Sequence, residues 1–169
     1  MGEIYRLATS EDVEELLDVT LRAYAPIREL GIKFSAATAN VELVTSNITN
    51  NDCYVLEVDG KIVAMLTVAE FAEIKKVTEH PFIWWFAVDP THKGKGVGTR
   101  LLNWVETTII RDKMKAAAVT LATAERHPWL VPMYERKGYE RFYEVDHGQG
   151  NGNIVYLRKI VNLELYEAR

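Results

Sequence analysis

The stretch that most constrains the fold is VDPTHKGKGVGTRLLNWVE, Val88 to Glu106, in which Gly94, Gly96 and Gly98 alternate with Lys95 and Val97. An apolar run, PFIWWFAV, leads into it. A helical pattern leaves it, with Val97, Leu101, Val105 and Ile109 four apart on one stripe. A strand that enters a glycine turn and leaves as a helix needs a later parallel strand to complete the crossover, and AAVTLATA supplies one. The same junction presents backbone N–H groups at the positive end of a helix dipole, an arrangement suited to phosphate. Glycine is required because a Cβ holds the anion off the backbone or forbids the turn. Lys93, Lys95 and Arg100 can add charge against a polyphosphate.

The rest of the chain supplies the sheet that such a crossover needs. EIYRLAT alternates apolar and polar residues as a strand does. Thr9 and Ser10 are N-cap candidates for a helix whose Val13, Leu16, Leu17, Thr20, Leu21 and Tyr24 recur at helical spacing up to Pro26. PIRELGIKFS has no clear periodicity, and a second helix is expected over about 36–48. CYVLEV and KIVAMLTVAE flank Asp59-Gly60, a hairpin signal. PFIWWFAV is apolar on both faces and reads as a buried central strand. Strand alternation places Trp84 and Trp85 on opposite faces of the sheet. WLVPMYERK is a short helix closed by Gly138, with Pro132 near its first turn. YERFYEV and NIVYLRKIV are two last strands. The order β-α-α-β-β-β-α-β-α-β-β describes one mixed α/β domain over residues 1–169.

Several function classes are disfavoured at this level. A net charge of −4 does not support a general nucleic-acid footprint, although it permits attraction of cationic amines. No apolar run approaches a membrane span, and MGEIYRLATSED lacks the regions of a signal peptide. Cys53 is the only cysteine, so no intramolecular disulfide is possible; a buried structural role and a cytoplasmic location are expected. No metal site is expected. Among phosphate binders, GKGVGT lacks the spacing of a Walker loop. The G-x-G-x-G run also falls mid-chain after antiparallel-type strands, unlike a dinucleotide fingerprint. A pyrophosphate held by successive amides in a CoA site is the third reading.

With FAVDP before it and TRLLNWVE after it, Lys93-Gly94-Lys95-Gly96-Val97-Gly98 resembles the central acetyl-CoA motif of the GNAT superfamily of N-acetyltransferases, with lysine where Arg or Gln is usual. IYRLATSEDVEELLDV resembles that family's first strand and helix, and YVLEVDGKIVAMLTV its second hairpin. MYERKGY, Met133 to Tyr139, is similar to its Leu-Tyr-x-x-x-Gly-Phe segment. The resemblance implies a mostly antiparallel central sheet with one splayed parallel pair and helices on both faces. It implies acetyl-CoA as donor, with Phe86, Ala87 and Val88 along the pantetheine arm. Lys93, Gly94, Lys95, Gly96, Val97, Gly98 and Thr99 would hold the pyrophosphate. Tyr134 matches the tyrosine that protonates the leaving sulfur, and a backbone N–H near Val88 would polarise the thioester carbonyl.

Two family features are absent. Phe82 stands where many relatives carry a basic glutamate, and His127 stands at the place of a cofactor-binding asparagine, where it is still expected to reach the cofactor. Glu79, His80, Glu125, His127 and a water chain are the candidate bases. Tyr24, Phe34 and Trp129 are read as core aromatics that can also line the acceptor cleft, and Glu29, Glu73 and Glu79 can attract a cationic acceptor. The activity implied is acetyl transfer to a primary amine by direct attack in a ternary complex. The acceptor is expected to be a small molecule, with a peptide N-terminus or lysine as second choice. A CoA-binding sensor without catalysis, having no use for Tyr134, is the alternative from another class, and a nicotinamide enzyme is the third. A homodimer through a C-terminal edge strand is compatible with the pattern.

Overall fold

The computed structural model describes residues 2–168. Seven strands form one sheet: β1 (Glu3–Leu7), β2 (Asp52–Val58), β3 (Lys61–Ala69), β4 (Phe82–Val88), β5 (Ala118–Ala124), β6 (Glu140–Asp146) and β7 (Asn153–Ile160). Their order is β1-β2-β3-β4-β5-β7-β6, and every neighbouring pair is antiparallel except β4 and β5. The helices are α1 (Val13–Ala23), α2 (Ala25–Glu29), α3 (Val41–Asn50), α4 (Ala72–Lys75), α5 (Val97–Trp104), α6 (Leu130–Arg136) and α7 (Leu163–Glu167). This is the expected mixed fold. Among the described residues no helix is long and apolar enough to cross a membrane.

Local chemistry accounts for most boundaries. The β2–β3 hairpin closes at Val58 and Lys61, with Asp59 at φ 50° and Gly60 at φ 81°, the two positive dihedrals of a type I′ turn. The Thr9 side chain accepts from the Glu11 amide while Asp12 accepts from the Thr9 amide, so a reciprocal cap starts a 3-10 turn that runs into α1. The second long helix begins at Val41, later than expected, because Ser35–Thr38 forms a separate 3-10 turn and Asn40 caps the amide of Leu43. After Trp104, α5 widens into π-type turns over Val105–Lys113 while keeping Val105, Ile109 and Ile110 buried.

Alternation along the strands builds a core on each face of the sheet. Leu56, Leu66, Ile83 and Leu157 pack with Leu101, Leu102 and Ile110 under α5 and its π-type extension. Their neighbours Val55, Met65 and Ala87 point the other way, against Leu16 of α1 and Val44 of α3. Cys53 belongs to that second core, and burial pushes its thiol up to about 12, so the thiolate is suppressed.

Candidate active site

The site begins where the parallel pair fails. β4 and β5 are in register only at Phe82 with Thr120 and Ile83 with Leu121, below which the Thr120 amide reaches the Pro81 carbonyl at 2.9 Å. Beyond Ile83 the two strands separate. The edge of residues 84–88 that faces β5 therefore has no strand partner, and buried main-chain groups left this way need a ligand or water. Phe86, Ala87 and Val88 lie on one lip of the opening, and Ala122, Thr123 and Ala124 on the other.

A bulge shapes that lip. Thr67 pairs with Trp84 but Leu66 pairs with Phe86, so Trp85 is an extra residue, held at φ 43°. This corrects the expectation for the tryptophans. They do not face opposite sides; their rings stack at 4.7 Å and both pack on the α1 side. The positive φ rotates Trp85 through the sheet plane, and its indole N–H donates to Ser35 Oγ at 2.8 Å. Just past the bulge, the Tyr24 hydroxyl donates to the Phe86 carbonyl at 3.0 Å and accepts from the Phe86 amide at 3.3 Å.

The glycine turn follows at the open end of β4. Asp89 anchors it by accepting from the Thr91 amide and pairing with Arg22 of α1 at 2.8 Å. Gly94 (φ 82°) and Gly96 (φ 75°) take left-handed backbone that a side chain would strain. Among the described residues nothing accepts from the amides of Gly94, Gly96, Val97, Gly98 or Thr99. Five free N–H groups at the start of α5 form a cradle for an anion. The Val97 side chain turns into the core, so only its main chain faces the cradle. A Cβ on Gly98 would stand 2.7 Å from Val88 Cγ2, so Gly98 lets α5 lie directly on β4. These features fit a CoA pyrophosphate, with its pantetheine arm along a lip that has no strand partner and on which Tyr24 holds the Phe86 main chain. Arg100 sits at the turn, its Nη1 donating to the Lys95 carbonyl at 2.9 Å and lying 3.4 Å from where a Cβ on Gly96 would stand, while Glu3 engages its guanidinium and offsets its charge. Lys93 and Lys95 remain at the turn, joined by Lys137, whose Nζ donates to Thr99 Oγ1 at 2.7 Å. Lys137 sits in MYERKGY, where nothing in the sequence signals that it reaches Thr99.

Tyr134 projects from α6 into the core beneath the opening, edge-on to Tyr139 at 5.7 Å. Its hydroxyl has no hydrogen-bond partner among the described residues. Burial raises its pKa well above the ordinary phenol value, and the nearby phenol of Tyr24 raises it further. Burial also pushes Tyr24 up to about 12, against the opposing effect of its bond to the Phe86 carbonyl. Tyr24 is thus more than a core aromatic.

His127 is buried, its Nδ1 accepts from the Trp129 amide at 3.4 Å, and burial lowers its pKa. Burial thus disfavours the charged ring, and Nδ1 is the nitrogen that faces the Trp129 amide. Trp129 is 48% exposed, against the expectation of a core aromatic, because the helix start leaves its ring over the glycine turn with Lys93 Nζ 5.9 Å from its centre. Phe34 is half-buried against the cluster of Ile27, Ile32, Phe82 and Ala124. Glu79 and His80 lie before β4, at the closed end of the pair, along a depression of about 330 Å³. Glu125 is exposed and pairs with Arg141 at 3.5 Å.

Comparison with known proteins agrees with this geometry. A family model described as "Acetyltransferase (GNAT) family" matches residues 10–139. The chain is 51% identical over 162 residues to the S-(2-succino)cysteine N-acetyltransferase of Bacillus subtilis (strain 168), covering 95% of this chain and 98% of that protein. It is 43% identical over 144 residues to the S-alkylcysteine N-acetyltransferase of the same organism, covering 84% and 81%. Among solved structures, the PaiA N-acetyltransferase of Thermoplasma acidophilum in complex with coenzyme A superposes with a TM-score of 0.71 at 16% identity, over 95% of this chain and 99% of that one. The splayed strands, the bulge, the glycine cradle and the family match lead to one conclusion: this chain belongs to the GNAT family of acetyltransferases, enzymes whose acyl donor is acetyl-CoA.

Proposed function

We propose that the protein N-acetylates a small S-substituted cysteine by direct attack of its amine on acetyl-CoA in a ternary complex. The observation that carries the acceptor is the 51% identity, across nearly the whole chain, to a relative named for such a substrate. Acetyl-CoA supplies an activated thioester carbonyl. The free amides of Gly94, Gly96, Val97, Gly98 and Thr99 hold its pyrophosphate, and Lys93, Lys95 and Lys137 balance the charge. The lip from Phe86 to Val88 receives the pantetheine, and an amide there polarises the carbonyl. As the amine nitrogen bonds to the acetyl carbon and the carbon–sulfur bond breaks, Tyr134 gives its proton to the departing sulfur. Its unpartnered hydroxyl and raised pKa suit a donor that must stay protonated until a thiolate forms beside it.

No protein side chain is assigned as base. Glu79 and His80 precede β4 at the closed end of the pair, Glu125 is engaged by Arg141, and His127 Nδ1 is turned to the Trp129 amide. The amine loses its proton to water, or arrives neutral.

The test is thiol release from acetyl-CoA with S-(2-succino)-L-cysteine and S-methyl-L-cysteine as acceptors. Thiol release with at least one thioether is expected. Tyr134→Phe should lower kcat roughly 100-fold or more while the rise in Tm produced by CoA persists. Wild-type protein inert toward both thioethers would refute the acceptor, and an undiminished Tyr134→Phe would refute the mechanism.

A further inference from the structure

The arginines of this fold are held in different ways. Arg6, Arg22, Arg100, Arg111 and Arg141 each pair with a carboxylate. Arg28, Arg126, Arg136 and Arg158 have none among the described residues; Arg28 of α2 donates to the Leu21 and Ala37 carbonyls, whereas Arg126 lies just past the end of β5, two positions beyond Ala124 on the lip of the opening. Its sequence neighbour Glu125 is directed to Arg141 instead. The Arg126 guanidinium donates from Nη2 to the Leu30 carbonyl at 2.6 Å and from Nη1 to the Gly150 carbonyl at 3.0 Å. It thereby links the segment after α2 to the β6–β7 loop. Those segments are also joined where the Lys33 amide donates to the buried Asn151 Oδ1 at 2.7 Å. Both leave room for the arginine by placing glycine against it. A Cβ on Gly152 would stand 3.2 Å from its Cγ and Cδ, and one on Gly31 would stand 3.9 Å from Nη2.

The segments it links flank Ile27, Ile32 and Ile154, which with Ala124 and Tyr156 form an apolar cluster that Tyr24, Phe34 and Trp84 pack against. Arg126 is exposed, whereas Ala87 on the lip and Tyr134 beneath it are buried. Two of the five guanidinium N–H groups are used on carbonyls, which neutralise none of its charge; the others remain in a planar fork that matches a carboxylate.

We propose that Arg126 is a specificity-determining residue that receives a carboxylate on the sulfur substituent of the acceptor, so that anionic S-substituents are preferred over neutral alkyl ones. This assignment rests on the S-substituted cysteine reading above. The α-carboxylate does not serve, because it is attached next to the reacting amine and stays deep with it. A carboxylate beyond the sulfur lies several bonds farther out, toward the rim.

The experiment compares kcat/KM for S-(2-succino)-L-cysteine and S-methyl-L-cysteine in the wild type, Arg126→Met and Arg126→Lys, with the CoA-induced rise in Tm as a check on folding. The wild type should prefer the succinyl acceptor. Arg126→Met should lower kcat/KM for that acceptor roughly 10- to 100-fold, mainly through KM. The methyl acceptor should change by no more than about threefold. Arg126→Lys should recover part of the preference. If both acceptors lose the same factor, or the wild type has no preference, Arg126 is only a loop clasp and the assignment is overturned. If the wild type acetylates neither thioether, the acceptor reading itself has failed and this assignment fails with it.

Discussion

At the residue scale, two phenols decide how the site behaves. Tyr24 closes on the main chain of Phe86 next to the bulge, and Tyr134 keeps a free hydroxyl beneath the opening. Burial raises both pKa values, so both stay protonated above the ordinary phenol value of about 10. The sign matters for the pH profile. With Tyr134 as donor, kcat should rise as the acceptor amine deprotonates and show no falling limb below about pH 10. Steady-state rates across the alkaline range, at saturating acetyl-CoA, check this. A falling limb centred well below that value would remove Tyr134 from the donor role. Tyr134 is recognisable only because MYERKGY resembles a family segment that lies within seven residues. Tyr24 is not, since its partner lies 62 positions away.

At the element scale, α5 and β4 act as one unit. The helix starts at a left-handed Gly96, and Gly98 then lets it lie against Val88. Gly96→Ala should cost roughly 1–2 kcal/mol, because a Cβ at positive φ meets the carbonyl oxygen. Gly98→Ala should act differently, by pushing the first turn of α5 off β4 and displacing the cradle amides. In the wild type, CoA at a hundred times its dissociation constant stabilises by about 2.7 kcal/mol. Most of the corresponding rise in Tm should be lost in Gly98→Ala and largely restored in the Gly98→Ala, Val88→Ala double variant, where the colliding methyl is gone. Thermal melts with and without CoA measure this. An unchanged rise in Gly98→Ala would show that the contact is not needed to form the cradle.

At the scale of the whole molecule, two ion pairs tie α1 and its cap to the sheet. Arg6 of β1 holds the Asp12 carboxyl below the usual range, and Arg22 of α1 holds that of Asp89 far below it. A depressed folded-state pKa means stability that is present above the unfolded value of about 3.9 and lost as pH falls through the folded value. Tm should therefore hold down to about pH 4 and then fall as the two pairs protonate. In Asp89→Asn the Tm should be lower at neutral pH and the acid decline shallower. A decline as steep as in the wild type would take Asp89 out of the acid response. The sequence by itself determined what is local: the Asp59-Gly60 turn, the stripe Val97, Leu101, Val105, Ile109, and the strand–glycine–helix junction, each set by dihedral preference or periodicity within a few residues. It did not reveal the bulge, because FIWWFAV is apolar at every position, so an extra residue breaks no pattern. Trp85 crosses the sheet because Ser35 takes its indole and Tyr24 takes the main chain beyond it. Nor did it reveal that Arg100 is spent on Glu3, that Lys137 reaches Thr99, or that Arg126 bridges two loops. Those pairings join residues between 24 and 97 positions apart. Only tertiary structure decides them, since neither propensity nor spacing carries information about which distant groups the packed sheet and loops will bring within reach.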